Sequence, residues 1–234
     1  VKRDQSPVLP GDGPTDYARY MRTDELLDLQ RRPEEMLHRD ELLFQVVHQS
    51  AELWLKLAGA ELTAAVARTE AADPLAATAL LARATLAVRL VTDQLAMFGH
   101  LSPVDFQAMQ PALGNGSGAE SPGWRQVASV SRQLGRAFAE QLTARGDTLR
   151  TLPPGDPTHR LATAMIAWDE QVAQWRARHY QVALAVGGHP PDGSPGSPAT
   201  VLAKLTEHRF FPELRPTRPD TDLAAATHSR PAEA

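Results

Sequence analysis

Two histidines stand where apolar side chains are expected. His48 sits at the margin of the apolar arc of a helical stretch over residues 38–57, one turn after Phe44 and one turn before Glu52. His179 interrupts the seam Leu161, Met165, Trp168, Val172, Trp175, His179, Val182, Val186, whose spacings alternate between four and three. Both have aromatic neighbours, Phe44 and Trp54 for one, Trp168 and Trp175 for the other. A neutral imidazole can be a satisfied core residue when one nitrogen donates and the other accepts. Two of them on long helices that must pack together also describe an apolar slot with polar handles, the usual build of a pocket for a flat organic molecule. What the chain lacks narrows the chemistry. No third inward-facing His, Asp or Glu accompanies the pair, as a non-haem iron or zinc site would want. No G-x-S-x-G elbow and no glycine-rich strand-to-helix turn appears. One histidine as axial ligand to a haem iron, with the other across the cavity, needs only the slot and two imidazoles.

The elements that must position these residues read as helices. At about 100° per residue, Leu42, Leu43, Val46, Val47, Ala51, Leu53, Trp54, Leu55 and Leu57 cover more than half a helix, leaving Gln45, Gln49, Glu52 and Lys56 on a narrow polar strip. Asp73-Pro74 and Asp156-Pro157 are start signals, an N-cap residue followed by proline at the first helical position. The first opens a helix with Ala77, Leu81, Ala84, Val88, Val91, Leu95 and Phe98 on one seam, stopped by Gly99. Another places Val127, Val130, Leu134, Phe138 and Leu142 inward and ends at Gly146; the seam of His179 closes at Gly187-Gly188. Asp24 to Leu29 reads as a short helix and 114–118 as a flexible connector. No stretch alternates with period two for long enough to argue a sheet. The expected fold is all-α: an arm over 1–14, a helical domain over 15–214 built on four longer helices with the pocket between them, and a disordered tail over 215–234.

Composition sets the outer limits. A net charge of -4 without a dense basic stretch argues against nucleic-acid binding. The absence of cysteine excludes disulfides, iron–sulfur clusters, zinc–cysteine sites and thiolate nucleophiles. No apolar run reaches the ~18 residues of a membrane span and no cationic-then-apolar leader opens the chain, so a cytoplasmic protein with no membrane partner is expected.

Five segments, in order, resemble those of the tryptophan 2,3-dioxygenases. They are Tyr17-x-x-Tyr20; Asp40-Glu41 through Phe44, His48-Gln49 and Glu52-Leu53-Trp54-x-Lys56; Leu101-Ser102-Pro103 with Phe106-Gln107 and Gln110; Trp175-Arg176-x-Arg178-His179; and Phe210-Phe211-Pro212-Glu213-Leu214. The resemblance implies a cytoplasmic haem b oxygenase that uses dioxygen, assembled as a dimer or tetramer. His179 would be the iron ligand. His48 would accept the indole N–H of the substrate, with Phe44 stacked beside the ring. Tyr17 and Tyr20 would line the site of a neighbouring subunit. With a one-residue shift, Ser194 would stand where the family binds the substrate ammonium.

Two departures accompany the likeness. Where the resemblance implies an arginine that clamps the substrate carboxylate, this chain has Gly99, and the tyrosine four residues before it is Leu95. The chain also looks shorter between Gln110 and His179. Three readings stay open: 2,3-dioxygenation of L-tryptophan or a derivative to an N-formylkynurenine-type product, monooxygenation to a 2-oxindole or hydroxylated derivative, and a haem sensor without turnover. Trp54, Trp124, Trp168 and Trp175 read as core packing. His38, His100, His159, His189, His208 and His228 read as solvated. Arg176 and Arg178 read as solvent-facing or, for one of them, as a propionate partner, and Glu52 as a surface carboxylate or a partner standing behind His48.

Overall fold

The computed structural model describes residues 9–114, 118–153, 155–187 and 198–214, without the side chains of Ala119 and residues 198–202. Among these residues the chain is helical with no strand: α1 (Asp16–Met21), α2 (Thr23–Leu27), α3 (Glu41–Glu70), α4 (Pro74–Asp93), α5 (Pro103–Leu113), α6 (Pro122–Arg145), α7 (Pro157–Gly187) and α8 (Pro198–Glu207). The expected all-α class and the four longer helices (α3, α4, α6 and α7) are present. Short 3-10 turns cover Pro33–Glu35, Gln94–His100, Gly118–Glu120 and Pro212–Leu214.

Local chemistry fixes where the helices begin. Asp73 accepts from the Ala76 amide at 3.1 Å, and Asp156 from the Thr158 amide at 2.8 Å, each just ahead of proline. Ser102 and Ser121 do the same before Pro103 and Pro122, accepting from Asp105 and Trp124 at 3.1 Å. Boundaries differ from expectation in three places. The helix opened by Pro74 changes to a 3-10 winding at Gln94, so Phe98 and Gly99 sit on a tighter turn. Residues 16–27 form two short helices broken at Arg22, whose φ of 53° is left-handed. Residues 103–113, read without a helix of their own, form α5.

α3 runs through the middle, packing on α4 along one side and on α6 along another, while α4 also packs on α7. Leu55, Ala58, Leu62 and Ala65 of α3 meet Ala77, Leu81, Ala84 and Val88 of α4 and Val127, Leu134 and Phe138 of α6 in one core. Leu161, Met165, Trp168 and Val172 complete it from α7, and the buried Trp168 indole donates to Ser131 Oγ at 3.0 Å. Contrary to the expected absence of a membrane-length apolar run, residues 74–100 are long and apolar enough to cross a bilayer by length and composition. In the fold this segment is the core wall between α3 and α7. A smaller apolar cluster caps one end: Val47, Leu95, Phe98, Leu101, Met109 and Val186 are buried, and Phe44, Phe106 and Trp175 pack on them.

The polar strip of α3 has structural work. Gln45 and Gln49 hold the N-terminal segment, accepting from the Arg31 amide at 3.0 Å and from Gln30 Nε2 at 2.6 Å. The buried Glu41 carboxylate binds Arg31 at 3.0 Å and caps the Leu37 and His38 amides at 2.5 and 3.1 Å.

A buried carboxylate also fastens the C-terminal segment. Asp169 on α7, 1% exposed, accepts from the amides of Phe210 and Phe211 at 2.7 and 3.0 Å. Phe211 is fully buried and its ring lies 3.3 Å from the position a Cβ would take at Gly135. Asp169→Ala would strand two amides away from water, since both bonds are charge-assisted. We expect a loss of about 3 kcal/mol in urea unfolding, and a loss below about 1 kcal/mol would show that the clasp does not hold the segment.

Candidate functional site

Helical spacing builds both halves of the site. On α3, Phe44, His48 and Glu52 lie one turn apart on a line. The His48 Nδ1–H donates to the Phe44 carbonyl at 2.8 Å, because a carbonyl can only accept. That bond selects the tautomer and leaves Nε2 with a free lone pair. The Phe44 ring stacks on the imidazole at 4.1 Å, and Phe98 from the 3-10 turn stands 5.7 Å from it. Phe106 of α5 closes on Phe44 at 6.2 Å. The result is an aromatic enclosure around one face of an imidazole whose other edge is open.

On α7, Trp175 and His179 are likewise one turn apart, with ring planes within 9° and centroids 4.9 Å apart. Trp124 of α6 presses on Trp175 at 3.9 Å. His179 Nδ1 is buried and no described protein group hydrogen-bonds it; the same holds for Trp175 Nε1. The accessible nitrogen of His179 is therefore Nε2.

Both imidazoles are held neutral. Burial pushes the His48 pKa down, against the Phe44 carbonyl and the Glu52 charge, which favour its protonated form. Burial lowers His179 to about 4, with a further push from His48. Phe44 and Val47 of α3 share the capping cluster with Trp175, Val182 and Val186 of α7, so the two helices bring the sequence-predicted histidines to the same end of the bundle.

Other expected residues fall differently. Tyr17 and Tyr20 are 66% and 63% exposed on α1, and no ring contact joins them to either histidine. Ser194 lies outside the described residues, as do His189 and His228. Gly99 lies at the exposed end of the turn beside Phe98, and a Cβ there would meet nothing within 4 Å. Glu52 is neither a free surface carboxylate nor hydrogen-bonded to His48. It accepts from Ser121 Oγ and, at 3.0 Å, from the Gly123 amide, clamping the start of α6 onto α3. Gly123 is required there, because a Cβ would stand 2.6 Å from that of Leu55 and 2.7 Å from Glu52. Arg176 lies 5.1 Å over the Phe210 ring and donates to the His208 carbonyl at 2.8 Å, so it braces the C-terminal segment instead of facing solvent. His38 is half-buried within 3.5 Å of Asp105, not freely solvated.

Trp168 is core, and Trp124 and Trp175 pack against that core as expected while also reaching toward His179; Trp54, expected in the core, is 38% exposed. The signal for Trp175 was present: an aromatic one turn before an in-seam histidine, on the same face.

A surface cleft of about 630 Å³ lies where the α3–α4 and α6–α7 turns meet, lined by Glu70, Pro74, Glu140, Gln141, Arg145 and Asp156. Its arginine is already engaged by Asp147, Asp156 and Thr158 at 2.9, 2.7 and 3.1 Å. It shares no residue with the histidine pair.

Among the described residues no cluster of three or more His, Asp or Glu could cage a bare ion. One imidazole with an accessible Nε2, backed by a flat indole at the bundle end that also carries a second, aromatic-flanked imidazole, suits a planar cofactor ligated from one side. These residues fit a haem.

Comparison with known proteins identifies the family. A family profile described as tryptophan 2,3-dioxygenase matches residues 3–143, from the N-terminal segment through most of α6. A tryptophan 2,3-dioxygenase of Xanthomonas campestris pv. campestris is 35% identical over 127 residues, 53% of this chain and 43% of that protein. The one from Xanthomonas oryzae pv. oryzae shows the same identity and coverage. That of Kineococcus radiotolerans is 38% identical over 126 residues, 54% of this chain and 43% of its own length. The matched stretch thus spans less than half the length of these relatives. The residues matched by the family profile include Phe44, His48, Phe98, Phe106 and Trp124, whereas α7 with Trp175 and His179 follows them. The family profile covers more than half of the sequence, and the chain belongs to the tryptophan 2,3-dioxygenase family.

Proposed function

We propose that the protein is a haem b-dependent oxygenase that inserts dioxygen across the C2–C3 bond of the indole of tryptophan or a tryptophan derivative, giving an N-formylkynurenine-type product. The observation that carries this reading is the locked tautomer of His48, at the bundle end that α7 shares, in a chain of this family. Haem, when bound, supplies the activation of dioxygen. His179 would hold it through Nε2, with Trp175 against the imidazole. His48 Nε2 accepts the indole N–H, and Phe44 offers its ring to the indole face. Phe44, Phe98 and Phe106 would shield one face of the bound ring from water. His48 acts by orientation: electrophilic addition at the indole ring does not require the N–H proton to leave first.

The same family supports assembly. α1 exposes Tyr17, Tyr20 and Met21, and α3 exposes Leu42, Val46, Leu53 and Leu57 on one stripe. We read these faces as contacts between copies, dimer or tetramer, in which the α1 tyrosines complete a neighbour's pocket. A cytoplasmic setting suits a chain without cysteine.

Three measurements test the reading. Hemin added to the wild-type chain should give a histidine-ligated Soret spectrum that His179→Ala abolishes; identical spectra would remove the assignment. Incubation of the reduced haem protein with tryptophan and labelled dioxygen should place two labelled oxygens in the product. One label would indicate monooxygenation, and no product or Soret shift with any indole amino acid would indicate a sensor. Because the His48 pKa lies below its usual 6.5, Nε2 stays an acceptor through neutral pH and is lost only as pH falls below that folded value. Indole affinity should therefore hold steady down past pH 6.5, and weakening that begins above 6.5 would contradict the role of Nε2.

For the assembly, a Tyr17→Ala/Tyr20→Ala variant mixed with a His48→Ala variant should regain activity. Only a site built from two chains could then contain every wild-type group. Failure of the mixed oligomers to recover would place the tyrosines outside the neighbour's pocket.

A further inference from the structure

We propose that Trp175, backed by Trp124, is a positioning residue that sets the plane of the His179 imidazole, a task usually given to a hydrogen bond. The inference rests on the haem reading above. A metal-bound histidine is ordinarily oriented by the nitrogen that does not bind the metal, which donates to a carboxylate, a carbonyl or water. His179 Nδ1 is buried and has no such protein partner among the described residues. What touches the ring is the Trp175 indole, stacked almost parallel to it at 9° with centroids 4.9 Å apart. Trp175 keeps its own Nε1 buried without an acceptor, a cost that an apolar ring of the same size would avoid. Its position is dictated by stacking on both neighbours instead of by its polar atom.

The support continues beyond the stack. Trp124, 3.9 Å from Trp175, is the third residue of α6. Its amide is capped by Ser121 Oγ at 3.1 Å, and Ser121 Oγ in turn donates to Glu52. The Gly123 amide donates to the same carboxylate at 3.0 Å. Glu52 lies one turn beyond His48 on α3. A continuous chain of contacts therefore runs from the helix of one histidine, through the start of α6, to the ring that orients the other. Turning His179 about its χ2 would break the parallel contact with Trp175, and Trp175 cannot follow because Trp124 blocks it.

The experiment uses the full chain loaded with haem, in the wild type and in Trp175→Leu, Trp175→Phe and Trp124→Leu. It reads the iron–histidine stretching band by resonance Raman and the rate of haem loss to an apo-globin acceptor. Far-UV circular dichroism confirms that each variant is folded. Trp175→Leu and Trp124→Leu should broaden or split the band, and haem retention should fall about 10–100-fold. Trp175→Phe, which restores a flat ring, should recover most of the single band. A sharp, unshifted band in Trp175→Leu overturns the proposal even if that variant is less stable, since a merely structural tryptophan leaves the axial bond unchanged. A wild-type chain with no iron–histidine band, or one that persists in His179→Ala, removes the haem reading itself and is recognised before any tryptophan is altered.

Discussion

The fold depends on α3 having no single polar side. Leu55, Ala58, Leu62 and Ala65 must be covered from two directions, and α4 and α6 cover them. A helix sandwiched in this way cannot slide or rotate without opening core on one flank or the other. Its first turns are therefore rigid, and Phe44 and His48 inherit that rigidity. Small residues make the close approach possible: Ala77, Ala84 and Ala87 line α4, all essentially inaccessible to solvent.

The two histidines are stabilised by opposite means. His48 is fixed by a hydrogen bond of its own helix, so its tautomer and open nitrogen follow from local backbone geometry. His179 is fixed by neighbours, through contacts that require α6 and α7 to be correctly placed first. Apolar surroundings keep both rings uncharged at neutral pH, which leaves one nitrogen lone pair on each ring at this end of the bundle. A pair of cations in that space would repel each other and neither would accept a hydrogen bond or bind a metal. The neutral state is thus a property of the fold as much as of the two side chains.

Much of this was legible in the chain. The Asp-Pro starts, Gly146 and the four-and-three seams located α4, α6 and α7, because capping and burial are local or periodic properties. His48 and His179 were each legible as an exception to apolar periodicity. Four features were not. The 3-10 winding after Asp93 looks like continued α-helix, since its apolar residues keep nearly the same spacing. α5 lacks a clean seam and carries Pro111 inside it. The role of Glu52 depends on residues some seventy positions away, Ser121 and Gly123, and nothing in its own neighbourhood announces it. Trp124 is hidden for the same reason: tryptophan at the start of a helix reads as packing until its partner is known.

Gly123 gives that clamp an unforgiving tolerance. Because the smallest side-chain carbon would collide with both the backing leucine and the capping carboxylate, drift at this position is closed to every other residue type unless two distant positions change with it. A backbone site this crowded couples the residues that α3 and α6 can carry at their crossing, so a change at one helix must be matched at the other.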